Sequence, residues 1–425
     1  MSLLIEADPS LPLVQIAVSR LSGASSDPEG KEGLARLVTR LMRRTANGRG
    51  ADELDEAFDA LGSSLGADVS TSSAGFAGST ITRSLPDYAE LLNGVLAHPS
   101  LDESELERLK RETLAELEDL LDNDRALVRR WFGRSLFENH PYGRTAIGNA
   151  QSLARITPDD VRAHYETHLT RHNLVFAFSG DIDAERAQQL REQVSAGLPE
   201  GPSQRAPLDH PAGVRGRHLV FVDKPERTQT QILIGGLGTY AQDTDHVALI
   251  VANTAFGGTF TARLTQEIRA KRGWSYGAYS HLPYERRRQS FSMWTFPAAS
   301  DAAACISLQL EMLRAWIDNG LTADELEYAK RYLIHSNVFN IDTATKRVSL
   351  ALDEVLYELP ADYHKHFAER VASVTLDQAN AAIRARISSE NLLICVVGTE
   401  RDTGAEVRQA VSDLANYRVV PFDQS

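Results

Sequence analysis

The chain has 425 residues, is 42% hydrophobic and 24% charged, and carries a formal net charge of −13 at pH 7. That length holds two or more domains with full cores, at an apolar content ordinary for globular protein. The acidic balance argues against a nucleic-acid binder, whose partner demands a basic face, and no apolar run reaches the span of a membrane helix. A cationic peptide suits this charge better, although net charge alone identifies no partner.

Along the chain, the first ten residues contain neither a basic n-region nor an apolar h-region. No export signal is visible, and the compartment stays open between cytoplasm and periplasm. Apolar periodicity and capping residues predict strands over 11–21, 64–72 and 75–83, with helices over 33–44, 52–61, 85–96 and 103–121. Thr157-Pro-Asp-Asp then opens a helix that leads into the β-rich run Asn173-Leu-Val-Phe-Ala-Phe-Ser-Gly180. Thr375-Leu-Asp-Gln and Asn391-Leu-Leu-Ile-Cys-Val-Val-Gly398 repeat that pair of elements at a constant offset of 218. Two homologous halves follow, because a solenoid needs a shorter period and more copies. Residues 199–217, rich in Pro, Gly and charge, read as the linker between units at 1–198 and 218–425. The second half opens with strands over 218–222 and 230–236 and a helix over 244–256. Strand runs mixed with pairs of long helices predict an α+β fold, with helices packed on one face of a largely antiparallel sheet. Cys305 and Cys395 sit in apolar contexts and read as buried free thiols.

Five motifs are candidates for chemistry. In Gly33-Leu-Ala-Arg-Leu-Val-Thr-Arg-Leu-Met42, Arg36, Thr39 and Arg40 stand at i, i+3 and i+4 on one helix face. A guanidinium has no lone pair for a metal and stays protonated, so this face repels a cation. His164-Tyr-Glu-Thr-His168 places two imidazoles at i and i+4, but Glu166 lies on the opposite side of the helix. The matching positions of the second half are Ala382 and Arg386, so the pair reads as surface helix. His140-Pro-Tyr-Gly143 reads as a turn, and Arg286-Arg-Arg288 as solvated charge on a strand edge. Finally, Phe256-Gly-Gly-Thr-Phe-Thr-Ala-Arg-Leu-Thr-Gln-Glu-Ile-Arg269-Ala-Lys-Arg-Gly273-Trp-Ser-Tyr276 predicts a helix stopped by a left-handed glycine, followed at once by a strand.

The text around Arg36–Arg40 resembles the N-terminal half of the M16 (insulinase, mitochondrial-processing-peptidase-like) zinc peptidases, where these five positions read His-x-x-Glu-His. The stretch from Phe256 to Tyr276 is similar to that family's C-terminal signature, and the likeness spans essentially the whole chain. It implies two tandem α/β-roll domains of the LuxS/MPP-like metallohydrolase fold, with Leu3-Leu-Ile-Glu6 as the tail of a first strand. It also implies that Arg269 and Tyr276 grip a peptide backbone by donating to its carbonyls, and that Glu116, with Glu118 as near competitor, falls where relatives place a third zinc ligand. Arg36, Thr39, Arg40 and Glu116 are then a degenerate metal site, with Glu116 either paired to Arg36 or Arg40 or facing solvent. The function implied is a non-catalytic, substrate-binding subunit that binds no metal itself and works beside the zinc of a His-x-x-Glu-His partner subunit. A chain without its mate could pair with itself. The rival expectation is a scaffolding subunit without peptide processing.

Overall fold

The computed structural model describes residues 2–205 and 207–424. Five strands, β1 (Ser2–Ala7), β2 (Leu13–Arg20), β3 (Ser64–Val69), β4 (Ala74–Ile81) and β5 (Leu174–Gly180), form a first sheet in the order β1-β5-β2-β4-β3. Six more, β6 (Arg217–Asp223), β7 (Gln231–Leu237), β8 (Ala278–His281), β9 (Ser290–Thr295), β10 (Leu392–Gly398) and β11 (Leu414–Pro421), form a second in the order β11-β6-β10-β7-β9-β8. Without β11 the two orders are the same. β5 and β10 start at residues 174 and 392, which keeps the offset of the sequence repeat. The helices before them are capped alike: Thr157 Oγ1 accepts from Asp160 N, and Thr375 Oγ1 from Gln378 N. The chain is a tandem of two α+β units. Both sheets are mixed, since β1–β5, β6–β10 and β6–β11 run parallel and the other pairs antiparallel.

The main correction concerns how the sheets are covered. In β2 the residues alternate, with Val14, Ile16 and Val18 facing a core closed by the helices Leu34–Met42 and Leu85–Ala97. β10, by contrast, is buried along its whole length, which requires cover on both faces. The second face of this sheet is covered by the helix Asp124–Phe137 of the first half. Its Leu127, Val128, Trp131 and Phe132 pack with Val222, Leu233, Trp294, Leu393 and Val397. In return, the helix Ala344–Leu356 of the second half lies against β1 and β5. Ser179 Oγ donates to Thr345 Oγ1 at 3.2 Å there, and Arg347 Nε to Glu6 Oε2 at 3.1 Å. The two helices hold corresponding places in the repeat, so the halves exchange equivalent elements. The expectation of helices on one face alone fails for this reason.

Residues 199–205 and 207–217 are held closely rather than spanning open space. Arg205 Nη1 donates to the carbonyl of Leu356 at 2.9 Å, and Leu208 is buried in the core under the exchanged helix. Both cysteines are buried and free, and burial raises both thiol pKa values, that of Cys305 to about 11. Among the described residues no helix is long and apolar enough to cross a membrane.

Exchanged helices make a direct prediction. Cutting the chain within residues 199–217 should give two fragments that copurify when expressed together, while either alone exposes a large apolar face and aggregates. Trp131→Ala should destabilise the intact chain by about 3–5 kcal/mol. Chemical denaturation and sizing of the fragments check both. Two separately soluble, monomeric halves would show that the exchange is dispensable.

Candidate functional site

The helix Leu34–Met42 is amphipathic, with Leu34, Leu37, Val38 and Leu41 in the core, so Arg36 and Arg40 come out on the opposite edge, toward the helix Glu103–Asp119. There both arginines meet one carboxylate. Arg36 Nη2 stands 2.5 Å from Glu116 Oε2, and Arg40 Nη1 2.7 Å from Glu116 Oε1. One turn along, Arg44 Nη2 is 2.5 Å and Arg40 Nη2 3.4 Å from Glu112 Oε2. Arg36, Arg40 and Arg44 thus interleave with Glu112 and Glu116 in a zipper between the two helices. Glu118, the near competitor, is no part of it. Burial raises the pKa of the Glu116 carboxyl, but the hydrogen bonds from Arg40 and Arg36 outweigh it and hold the pKa below the ordinary value.

Thr39 points inward. Its hydroxyl donates to the carbonyl of Ala35 at 2.7 Å and accepts from Arg20 Nη2 at 3.1 Å. Arg20 is the last residue of β2 on its core face, only 2% exposed, and also donates to the carbonyls of Ser22 and Ala35. Burial pulls its guanidinium down to about 10, so it stays charged at neutral pH. These residues do not fit a zinc ion. The face that would supply ligands presents guanidinium groups, and Glu116 is already engaged by two of them. Among the described residues, no group of three or more His, Cys, Asp or Glu side chains is placed to hold a metal.

Arg269 and Tyr276 lie together in the second half, at the edge strand β8. The helix predicted over 244–256 runs only from His246 to Asn253 and then widens into a π-turn, Thr254–Gly258. Gly257 is required there, because a Cβ would come within 2.5 Å of Ser280 Oγ. A second π-wound segment, Thr265–Lys271, carries Arg269, and Gly273 ends it at φ +69° as the sequence predicts. The Arg269 guanidinium lies between two rings, 4.3 Å from the centroids of both Phe260 and Tyr276. Phe260 is 57% and Tyr276 76% exposed, so the stack stands out from the surface. Such stacking is worth roughly 0.5–1 kcal/mol per ring at exposed sites. It leaves the guanidinium edge and the phenol hydroxyl able to donate to a peptide carbonyl.

Two other readings need correction. His164 is buried, not on a surface helix, with its ring 4.4 Å from that of His168. Burial and the nearby Arg20 lower both pKa values, that of His168 to about 4, and neither His164 Nε2 nor His168 Nδ1 has a hydrogen-bond partner among the described residues. Arg286-Arg-Arg288 is not solvated charge: Arg286 is buried and its Nε donates to Glu358 at 3.2 Å, while Arg288 Nε donates to the carbonyl of Gly238. His140-Pro-Tyr-Gly143 does form a tight turn, in which His140 Nδ1 accepts from Tyr142 N.

The sequence reading missed Glu112, Arg44 and Phe260. The first two repeat the i, i+4 spacing of Arg36, Arg40 and Glu116, and that spacing was signal enough. Phe260 stands outside both π-wound segments and at no helical contact spacing from Arg269, so it had no local signal.

The zipper predicts an acid-sensitive contribution to stability. A carboxyl whose folded pKa is depressed stabilises the fold above its unfolded pKa and loses that contribution as pH falls through the folded one. Glu116→Gln should therefore melt below the wild type at pH 6–7, and the gap should close as pH drops below the ordinary glutamate value of 4.5. Thermal melts of both proteins from pH 7 to pH 3 test this. A gap independent of pH would show that charge is not what Glu116 contributes.

Comparison with known proteins gives a consistent result. The model of the insulinase (peptidase family M16) domain matches residues 2–150, and that of the peptidase M16 inactive domain matches residues 155–333. A non-peptidase homolog, YmxG, of Helicobacter pylori is 21% identical over 92% of this chain and 90% of its own length. An uncharacterized zinc protease of Mycobacterium tuberculosis is 26% identical over 89% of this chain and 87% of its own. Among solved structures, a peptidase M16 inactive domain from Pseudomonas fluorescens superposes with a TM-score of 0.86 at 26% identity, covering 93% of this chain and 95% of that one. The two family models between them take in most of the sequence, the second starting within the first half and ending before β10. The chain belongs to the M16 peptidase family, as a member with arginine, threonine and arginine at positions 36, 39 and 40.

Proposed function

We propose that this protein is a non-catalytic, substrate-binding subunit of an M16-type peptidase, gripping extended peptides through Arg269 and Tyr276 beside the zinc of a His-x-x-Glu-His partner. One observation carries the reading. The face that would hold the metal is filled by arginines locked onto Glu116, whereas the Arg269–Tyr276 stack remains exposed at the edge of the second sheet. A buried, purely structural pair would not leave Tyr276 three-quarters exposed. β3, paired only with β4, offers a second open edge for a peptide strand. The Helicobacter pylori relative is named as a non-peptidase homolog, which agrees with loss of catalysis. The rival reading, a scaffold subunit, draws on the stack itself: an arginine satisfied by two rings is stable without a ligand.

Two outcomes are expected. The purified chain should hold no stoichiometric zinc and hydrolyse no peptide alone. Elemental analysis of chelator-free protein measures this, and one equivalent of zinc would defeat it. Coexpressed with a His-x-x-Glu-His homologue, the chain should form a heteromer that cleaves peptides. In that complex Arg269→Ala and Tyr276→Phe should leave assembly and zinc content unchanged but lower turnover by roughly 10²–10³, the usual loss of a donor to a reacting carbonyl. Removing the Tyr276 hydroxyl leaves the ring stacking in place, so wild-type rates from Tyr276→Phe would favour the scaffold. Failure to form a heteromer at micromolar concentration would do the same.

A further inference from the structure

We infer that this chain binds a second copy of itself by laying the acidic helix Ala51–Ala60 of one copy on the arginine face of the exchanged helix Asp124–Phe137 of the other. The exchanged helix turns Leu127, Val128, Trp131 and Phe132 toward the second sheet, which leaves Arg125, Arg129, Arg130 and Arg134 on its outer side. Among the described residues none of the four has a carboxylate within 4 Å. Arg125 lies over the Trp294 ring at 3.9 Å and Arg134 over that of Trp131 at 5.1 Å, while Arg129 and Arg130 have neither a hydrogen-bond nor an ion-pair partner. The nearby acids do not answer them. Asp124 is engaged by Lys224 at 2.8 Å and Arg227 at 3.6 Å, and Glu29, Glu32 and Glu138 line a cavity of about 270 Å³ with Arg130 and Arg134 yet pair with neither. Burial lowers the pKa values of Arg129 and Arg130, and the like charges of Arg125 and Arg134 lower them further. A Cβ at Gly133 would meet nothing within 4 Å, so the surface between the arginines is open.

The helix Ala51–Ala60 is the complement. Leu54 and Phe58 are its buried residues, and Asp52, Glu53, Asp55, Glu56 and Asp59 are all exposed. Arg43 takes Asp55 at 2.9 Å, and Glu53 closes the helix start by accepting from Gly50 N at 3.0 Å. Asp52, Glu56 and Asp59 are left without an ion pair among the described residues. They recur at i, i+4 and i+7, which places them in one line along the outer face. Arg125 with Arg129, and Arg130 with Arg134, repeat at i and i+4. Charges therefore recur about every 6 Å along both helices, and one line can be set against the other. Within one chain no ion pair joins the two helices.

Charge complementarity selects the occupant, because every copy that presents the arginine face also carries the acidic line. The net charge of −13 on each copy repels at long range, but that repulsion is screened beyond about 8 Å at physiological salt, whereas guanidinium and carboxylate groups in contact still attract. One helix laid across another covers less than the roughly 1,200 Å² of a stable interface, so a single contact is weak. A two-fold pair makes the contact twice. The inference is independent of the peptide-binding reading, since neither helix carries Arg269 or Tyr276.

Sedimentation velocity of the full chain from about 5 to 200 µM, at physiological salt and at about 1 M, tests this. The wild type should associate as concentration rises, with a Kd roughly tenfold weaker at the higher salt. Two double variants then reverse the charges, Arg129→Glu with Arg134→Glu on the basic helix and Asp52→Lys with Glu56→Lys on the acidic one. Each alone sets like charges against each other and should sediment as a monomer over the same range. Mixed in equal amounts they should associate again, since in a mixed pair every basic face meets an acidic one. Loss of fold cannot produce that rescue. A monomeric wild type, variants that associate as the wild type does, or a mixture that stays monomeric would each overturn the self-contact. A monomeric chain that captures a labelled polyglutamate peptide only while Arg129 and Arg134 are intact would overturn it too, and would give the face to a different acidic partner.

Discussion

Exchange of the helices Asp124–Phe137 and Ala344–Leu356 is the constraint on which the rest of the molecule depends. Each sheet has a central strand apolar on both faces, and each needs an apolar lid that its own half does not provide. Burial of Trp131 and Phe132 against β7, β9 and β10 therefore fixes how the halves meet, with an energy that few surface contacts could match. Polar contacts add to it. Ser72 in the β3–β4 turn donates to Glu285 of the second half at 2.6 Å, and Arg205 of the connecting segment approaches Glu358. The zipper on one half and the aromatic stack on the other are thereby carried on one framework.

The fold was legible wherever the sequence kept a period. The repeat, its Thr caps and the strands that follow could be read because the same local physics is written twice. The shared cover of the sheets was harder to see, although the unbroken apolar run from Leu392 to Val397 contained the hint. A strand with one wet face alternates, and this one does not. The site was legible at the family's ligand positions and illegible beyond them. Arg20 continues the alternation Val14, Ile16, Val18 onto the core face, yet a charged residue at a strand end is readily taken for a solvated one. His164 and Arg286, read from the sequence as surface residues, are buried as well. In all three cases tertiary burial overrides the usual fate of the residue type.

Arg20 also explains why threonine stands at position 39. A buried guanidinium costs several kcal/mol unless its donors are met. Ser22, Ala35 and Thr39 meet three of those donations, and Asp27 lies close enough to favour the charge. Asp27 in turn accepts from the backbone of Gly33 and Ala35 at the start of the same helix. The inner face of the helix Leu34–Met42 is thus a hydrogen-bonded network, and its outer face is the Arg–Glu zipper. The substitutions at 36, 39 and 40 are three parts of one electrostatic arrangement.

Ligands that belong to the chain differ from a metal in one further respect: they cannot dissociate. The geometry of a zinc centre follows the free-metal concentration around it, and it empties when a chelator or a competing apoprotein takes the ion. The joint between Leu34–Met42 and Glu103–Asp119 is covalently supplied with both its charges, so its formation is a unimolecular event. The Arg–Glu joint between these two helices therefore needs no free ion to form.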